Sequence, residues 1–187
     1  MGFWQSVREV INGRLEEPAA PVQPRITVRY ETSRSSKPAD YDSPYLPSDR
    51  WDELLVPGLE DFPLGLNFQR GFLVERTTGK FVNVANKHLR GLGVWSCRLK
   101  GNYYYPGEVW AGRKVTLVRE PDNPHDKNAI AIFNDRGEQV GHWNKGMAAS
   151  LAKVLDSGQP IEAVALDHEP PKIVAASPEV MALLLSE

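Results

Sequence analysis

The chain has 187 residues, of which 41% are hydrophobic and 25% charged, and its formal net charge is −2. That length fits one or two small globular domains, and the near-neutral balance excludes a globally basic nucleic-acid binder, so any such function must rest on a local patch. Cys97 is the one cysteine and the four histidines lie far apart, which excludes an internal disulfide and argues against a structural zinc site. No apolar run reaches the roughly 18–20 residues of a membrane span. The sequence opens Met-Gly-Phe-Trp-Gln-Ser-Val-Arg, without a basic segment followed by an apolar core. The expectation is a cytoplasmic protein, nucleoid-associated if bacterial, with no membrane partner and no cofactor.

Phe3, Trp4, Val7, Val10, Ile11 and Leu15 fall at helical spacing, which predicts an amphipathic helix over 1–15. Residues 16–50 hold six of the 15 prolines and read as an extended linker, with a short strand where Ile26, Val28 and Tyr30 alternate with polar residues. A protein partner is a further expectation for residues 1–50. Residues 51–89 read as an accessory segment packed on a barrel formed by the later residues. Pro57, Gly58 and Pro63 break its first part, and 72–76 and 81–85 pair as a hairpin around Thr77-Thr78-Gly79-Lys80.

Strands then come often: 93–100, 103–105, 113–119, 129–134 and 139–143, the last two joined by Asp135-Arg136-Gly137. Residues 146–156 predict a helix with Met147, Leu151, Val154 and Leu155 on one face and Gly158 as its stop. Strands at 161–166 and 172–175 come next, then a helix over 177–187 with Ser177 as cap and Pro178 in its first turn. Many short strands separated by turns predict a mainly β fold with some α, a small barrel over 90–176, rather than a parallel sheet.

Two features carry chemistry. Tyr103-Tyr104-Tyr105 sets three rings in a row; on a strand, successive rings face opposite sides. They serve either as core with one exposed ring or as stacking platforms, and a stacked base contributes roughly 1–3 kcal/mol. The loop Glu120-Pro-Asp-Asn-Pro-His-Asp-Lys127 is packed with turn residues and precedes a strand ending Gly141-His142-Trp143. Asp122 and Asn128 suit Asx-type turns. Asp126 is a poor phosphate clamp, because a carboxylate repels phosphate, but a good acceptor for a terminal ribose hydroxyl; loop architecture is the other reading. Asn123 can donate or accept beside it. His142 is either a satisfied structural side chain or a contact to phosphate or base. Lys127, Arg119, Lys145, Arg113 and Lys114 supply local positive charge. Residues 90–167 hold ten Lys/Arg against nine Asp/Glu, so a groove must arise by arrangement and bind with salt sensitivity.

These residues resemble the HIRAN family over about 93–167. The resemblance rests on Tyr104-Tyr105-Pro106-Gly107, Val115-x-Leu117, the run Arg119-Glu120-Pro121-Asp122-Asn123-Pro124-His125-Asp126-Lys127-Asn128-Ala129-Ile130, then Gln139-Val140-Gly141-His142 and the helix with Ala148, Leu151 and Ala152. It implies an OB-like barrel with two helices, similar to a module at the front of fork-remodelling ATPases that binds the free 3′-hydroxyl end of single-stranded DNA. Carried over by position, it implies base contacts for Tyr104 and Tyr105 and contacts to the 3′ terminus for Asn123 and Asp126, with Lys127 and His142 in the same motif. Tyr103 and His125 depart from the pattern of the best understood member, which has Arg and Tyr there. The departures bear on end specificity rather than on fold. The nucleic-acid-binding set expected is therefore Tyr103, Tyr104, Tyr105, Asn123, His125, Asp126, Lys127 and His142, with no catalytic residue. The leading function is a non-catalytic module for single-stranded DNA ends in repair, replication-fork or mobile-element processing. The alternatives are a protein-interaction scaffold with a weakened end pocket, and a hydrolase using Asp122, Asp126, His125 and His142. The last lacks a nucleophile–base pattern.

Overall fold

The computed structural model describes residues 43–54 and 61–186. The expected N-terminal helix, the strand at 26–30 and most of the linker lie outside these residues. Nine strands are described: β1 Leu64–Asn67, β2 Phe72–Glu75, β3 Phe81–Val82, β4 Val94–Arg98, β5 Lys114–Arg119, β6 Ile130–Phe133, β7 Gln139–His142, β8 Glu162–His168 and β9 Pro171–Ala176. Two α-helices accompany them, α1 Lys145–Asp156 and α2 Pro178–Leu185.

β4 to β9 form one curled antiparallel sheet in the order β4-β9-β8-β5-β6-β7. Its two edges meet just beyond β4, where Lys100 and His142 exchange backbone hydrogen bonds of 2.9 and 2.8 Å. The small barrel of the expected mainly β class is therefore closed by a single bridge. Gly141 makes this closure possible. Its φ is +151°, and a Cβ there would lie 2.6 Å from the Lys100 carbonyl oxygen. A side chain would force the two edges apart.

Side-chain alternation divides the apolar residues between two cores. In β8 and β9, Ala163, Ala165, Ile173 and Ala175 fill the barrel interior, and Val164, Leu166, Val174 and Ala176 face the opposite way. The second set packs against Leu64, Leu73 and Val82 of β1–β3 and against Val180, Met181 and Leu184 of α2. β4 shares the pattern, with Val94 on the outer core and Cys97 in the barrel. A strand buried on both faces has no solvated side, so these runs read as continuously apolar. The buried Cys97 thiol is pushed up to about 12 by desolvation.

β1–β3 form a separate three-stranded sheet in the order β1-β2-β3 instead of extending the barrel sheet. β1 begins inside the stretch expected to be irregular, and the last part of the expected linker is docked on β3. There Tyr45 bridges Phe81, and the Leu46 N–H donates to its carbonyl at 2.9 Å. Lys172, on the outer face of β9 and buried, fixes the two layers. Its Nζ donates to the Gly71 carbonyl at 3.0 Å and sits 4.0 Å from the Phe72 ring centroid.

α1 starts at the Asn144 cap, whose side chain accepts from the Gly146 N–H, and α2 at Ser177, which caps Val180 with Pro178 in the first turn. The segment expected as a strand at 103–105 is instead a 3₁₀ turn, Asn102–Tyr104. Gly101, at φ 73°, turns the chain out of the extended conformation after Lys100. Tyr103 and Tyr104 consequently do not alternate between core and solvent, and are 92% and 86% exposed.

Candidate nucleic-acid interface

The loop between β5 and β6 is held from several sides. Arg119 donates Nε and Nη2 to the two Asp156 carboxylate oxygens at 2.8 and 3.1 Å, Nη1 to the Ala129 carbonyl at 2.6 Å and Nη2 to the Lys127 carbonyl at 3.1 Å. This side chain is 14% exposed, so the positive charge expected of it on the surface is spent on tying the loop to α1. Lys145, at the start of α1, donates to the His125 carbonyl at 2.7 Å. Within the loop, the Asn123 side-chain oxygen accepts from the His125 N–H at 3.0 Å, and one Asp126 carboxylate oxygen accepts from the Asn128 N–H at 2.9 Å. Both are Asx-type turns that fix the backbone.

The loop forms one wall of a cleft of about 510 Å³ at the end of the barrel where the bridge closes it. Tyr104 and Tyr105 line the same cleft, together with His142, Trp143, Lys100 and Gly101. Six of the eight expected site residues meet here: Tyr104, Tyr105, Asn123, His125, Asp126 and His142. Tyr103 lies outside, beside Arg98, Lys100 and His168 in a neighbouring recess. Lys127 also lies outside the cleft lining and is exposed.

A hydrogen-bonded chain links the cleft residues Tyr105 and His142 to Glu120. Tyr105 Oη is 3.2 Å from His142 Nδ1, and His142 Nε2 is 2.9 Å from Glu120 Oε2. The same Glu120 oxygen accepts from the Asn123 side-chain amide at 2.9 Å. Desolvation pushes the Glu120 carboxyl up, but the hydrogen bonds from Asn123 and His142 outweigh it, leaving Glu120 below its ordinary range. The sequence alone gives Glu120 no role. The available signal was an acidic residue at the end of a strand, directly before the Asx-rich loop. Asn123 uses both ends of its amide within the loop, so its first task is architecture. Asp126 is half-buried, and among the described residues its second carboxylate oxygen has no partner.

No three His, Cys, Asp or Glu side chains among the described residues are grouped as a metal site would require. What the cleft offers is exposed aromatic surface, an unshared carboxylate oxygen and a phenol–imidazole–carboxylate chain, on a loop fixed in advance.

A small closed barrel whose end cleft is walled by a Pro/Asx loop and tyrosines defines the class, and the comparisons agree with it. The HIRAN domain model matches residues 92–174, and through this segment the chain belongs to the HIRAN domain family. The helicase-like transcription factor of Homo sapiens is 47% identical over 57 residues, 30% of this chain and 6% of that protein. In Arabidopsis thaliana, a putative SWI/SNF-related matrix-associated actin-dependent regulator of chromatin subfamily A member 3-like 1 is 44% identical over 66 residues, 35% of this chain and 8% of the relative. The chain thus spans well under a tenth of these relatives. A crystal structure of the HIRAN domain of human HLTF is 33% identical, covering 49% of this chain and 83% of that one with a TM-score of 0.42. An NMR structure of the HLTF HIRAN domain in its DNA-bound conformation is likewise 33% identical, covering 49% and 82%, with a TM-score of 0.36.

Proposed function

We propose that residues 92–174 form a non-catalytic module that binds single-stranded DNA at its 3′-hydroxyl end, in repair, replication-fork or mobile-element processing. The observation that carries this reading is the cleft, which Tyr104 and Tyr105 line together with an Asp126 carboxylate that has one oxygen unshared. Rings take bases of any sequence. The free carboxylate oxygen accepts from a ribose hydroxyl and repels a terminal phosphate. Family membership supports the same reading, since a related HIRAN domain has been described in a DNA-bound conformation.

The test is competition between one oligonucleotide ending in a 3′-hydroxyl and the same strand ending in a 3′-phosphate, at matched ionic strength. The hydroxyl end is expected to bind more tightly. Asp126→Ala should weaken it by about 1.5–3 kcal/mol, the cost of losing a charged hydrogen-bond partner, and narrow the gap between the ends. Asn123→Ala should weaken both ends through the loop, with less change in the gap. Equal binding of the two ends by the unmutated protein would reject end recognition and favour a scaffold role.

A further inference from the structure

The chain of groups from Glu120 through His142 to Tyr105 has a direction, and that direction sets what the cleft asks of a ligand. An ionised carboxylate only accepts hydrogen bonds. His142 Nε2, 2.9 Å from Glu120 Oε2, must therefore carry the proton that joins them. In a neutral imidazole the other nitrogen then has a lone pair and no proton. Tyr105 Oη, 3.2 Å from that Nδ1, is consequently the donor in its own hydrogen bond to the ring. With its one proton committed, the phenol oxygen has only lone pairs left for the cleft.

Gln139 Nε2 also approaches His142 Nε2, at 3.5 Å. A Gln139 amide donating there would require the opposite tautomer and leave Glu120 facing a lone pair. The charge-assisted bond at 2.9 Å is the shorter and the stronger. His142 also pairs with Lys100 across the closing bridge and with Ala131 in the sheet, and the charged or titratable side chains that line the cleft with it are Lys100, Tyr104, His125, Asp126 and Lys145. Lys145 is engaged with the His125 carbonyl. None of them supplies Nδ1 with a competing donor.

Building on the end-recognition reading above, we propose that Glu120 is a positioning residue for specificity: it fixes the His142 tautomer and so makes the Tyr105 hydroxyl an acceptor. Together with the unshared Asp126 oxygen, the cleft then presents two acceptors. A ligand end with a donor matches one of them, and an anionic end meets both. Removal of Glu120 frees His142 to donate from Nδ1, and the Tyr105 hydroxyl can then turn its proton toward a phosphate.

Glu120→Ala and Glu120→Gln in the full chain, with ¹⁵N-labelled histidine, test this. In the unmutated protein the His142 imidazole, assigned by its loss in His142→Gln, should be protonated at Nε2 and bare at Nδ1. Glu120→Ala should abolish that preference and narrow the ratio of 3′-phosphate to 3′-hydroxyl dissociation constants by about two- to tenfold, the factor of one neutral hydrogen bond. Glu120→Gln keeps an acceptor oxygen and should retain the tautomer and most of the ratio. Tyr105→Phe, which keeps the ring, should narrow the ratio as Glu120→Ala does, and serves also if the alanine variant fails to fold. An unmutated ratio above one that Tyr105→Phe leaves unchanged overturns the relay, as does a His142 protonated at Nδ1 in the unmutated protein. An unmutated ratio of one instead overturns end recognition, while the imidazole spectrum still decides the direction of the chain.

Discussion

The β8–β9 hairpin and the loop between β5 and β6 are both rigid, but the forces holding them differ. The hairpin is fixed by burial on two faces, with alternate residues in two apolar cores and one buried cation, Lys172, across the layer boundary. The loop is half-exposed and fixed by polar bonds, with Arg119 and Lys145 pinning its backbone and Asn123 and Asp126 closing its turns. Apolar burial is non-directional and resists change in proportion to area. A hydrogen-bonded loop holds particular atoms at particular places, which is what recognition of a strand end needs.

The largest expected effect lies on the hairpin. Leu166 is fully buried in the outer core, so Leu166→Ala should cost about 2–5 kcal/mol of stability, read from urea unfolding. Its side chain points away from the barrel interior and lies outside the cleft. DNA binding below the unfolding transition should therefore be unchanged. A shift in end discrimination would show that the outer core and the cleft are not separable.

The same contrast explains what the sequence made legible. The short apolar runs of β8 and β9 announced strands, and Ser177-Pro178 announced α2, because these are local patterns. The motif residues were legible as a set, and six of them line one cleft. Less visible was the division of labour inside the loop. Arg119 is consumed by Asp156, 37 residues away, and Glu120 is joined to His142, 22 residues away; neither pairing leaves a local trace in the sequence. Three aromatic residues in a row suggested a strand; a single glycine, Gly101 in a left-handed conformation, turned them into an exposed 3₁₀ turn. Of the separate β1–β3 sheet the β2–β3 hairpin was legible, whereas β1 went unread because it starts directly after Pro63 in a stretch rich in turn residues.

Tyr104 should behave in the opposite way to Leu166. It is 86% exposed, so its ring contributes little to the core. Tyr104→Ala should leave unfolding within about 0.5 kcal/mol of the unmutated protein and weaken single-strand binding by about 1–3 kcal/mol. Tyr104→Phe should keep most of the affinity, since stacking uses the ring. Tyr103→Ala, outside the cleft, should lose less than Tyr104→Ala. Titration of a fluorescent oligonucleotide alongside a thermal melt separates the two quantities, and a Tyr104→Ala variant that is destabilised but binds normally would assign the ring to structure.

The smallest effect tests the polar side of the comparison through pH. Glu120 is held below its ordinary value of 4.5, because bonds from Asn123 and His142 outweigh the cost of burial. The folded protein therefore releases this proton more readily than the unfolded chain. The stability contributed is present above the ordinary value and is lost as pH falls through it toward the lower folded value. The side chain is about one-third exposed, at 33%, so solvent screens the contribution and it stays modest. Glu120→Gln cannot ionise and should lack this dependence. The difference in melting temperature between the two proteins should be greatest near neutral pH and shrink on acidification below about pH 4.5, the range in which an ordinary glutamate titrates. Leu166→Ala carries no ionisable change, so the part of its stability deficit that comes from the cavity should persist across the same range. A Glu120→Gln difference that stayed constant from neutral to acid would mean that the carboxylate is not held by charge-assisted bonds, and the loop would then owe its rigidity to the bonds of Arg119, Lys145, Asn123 and Asp126.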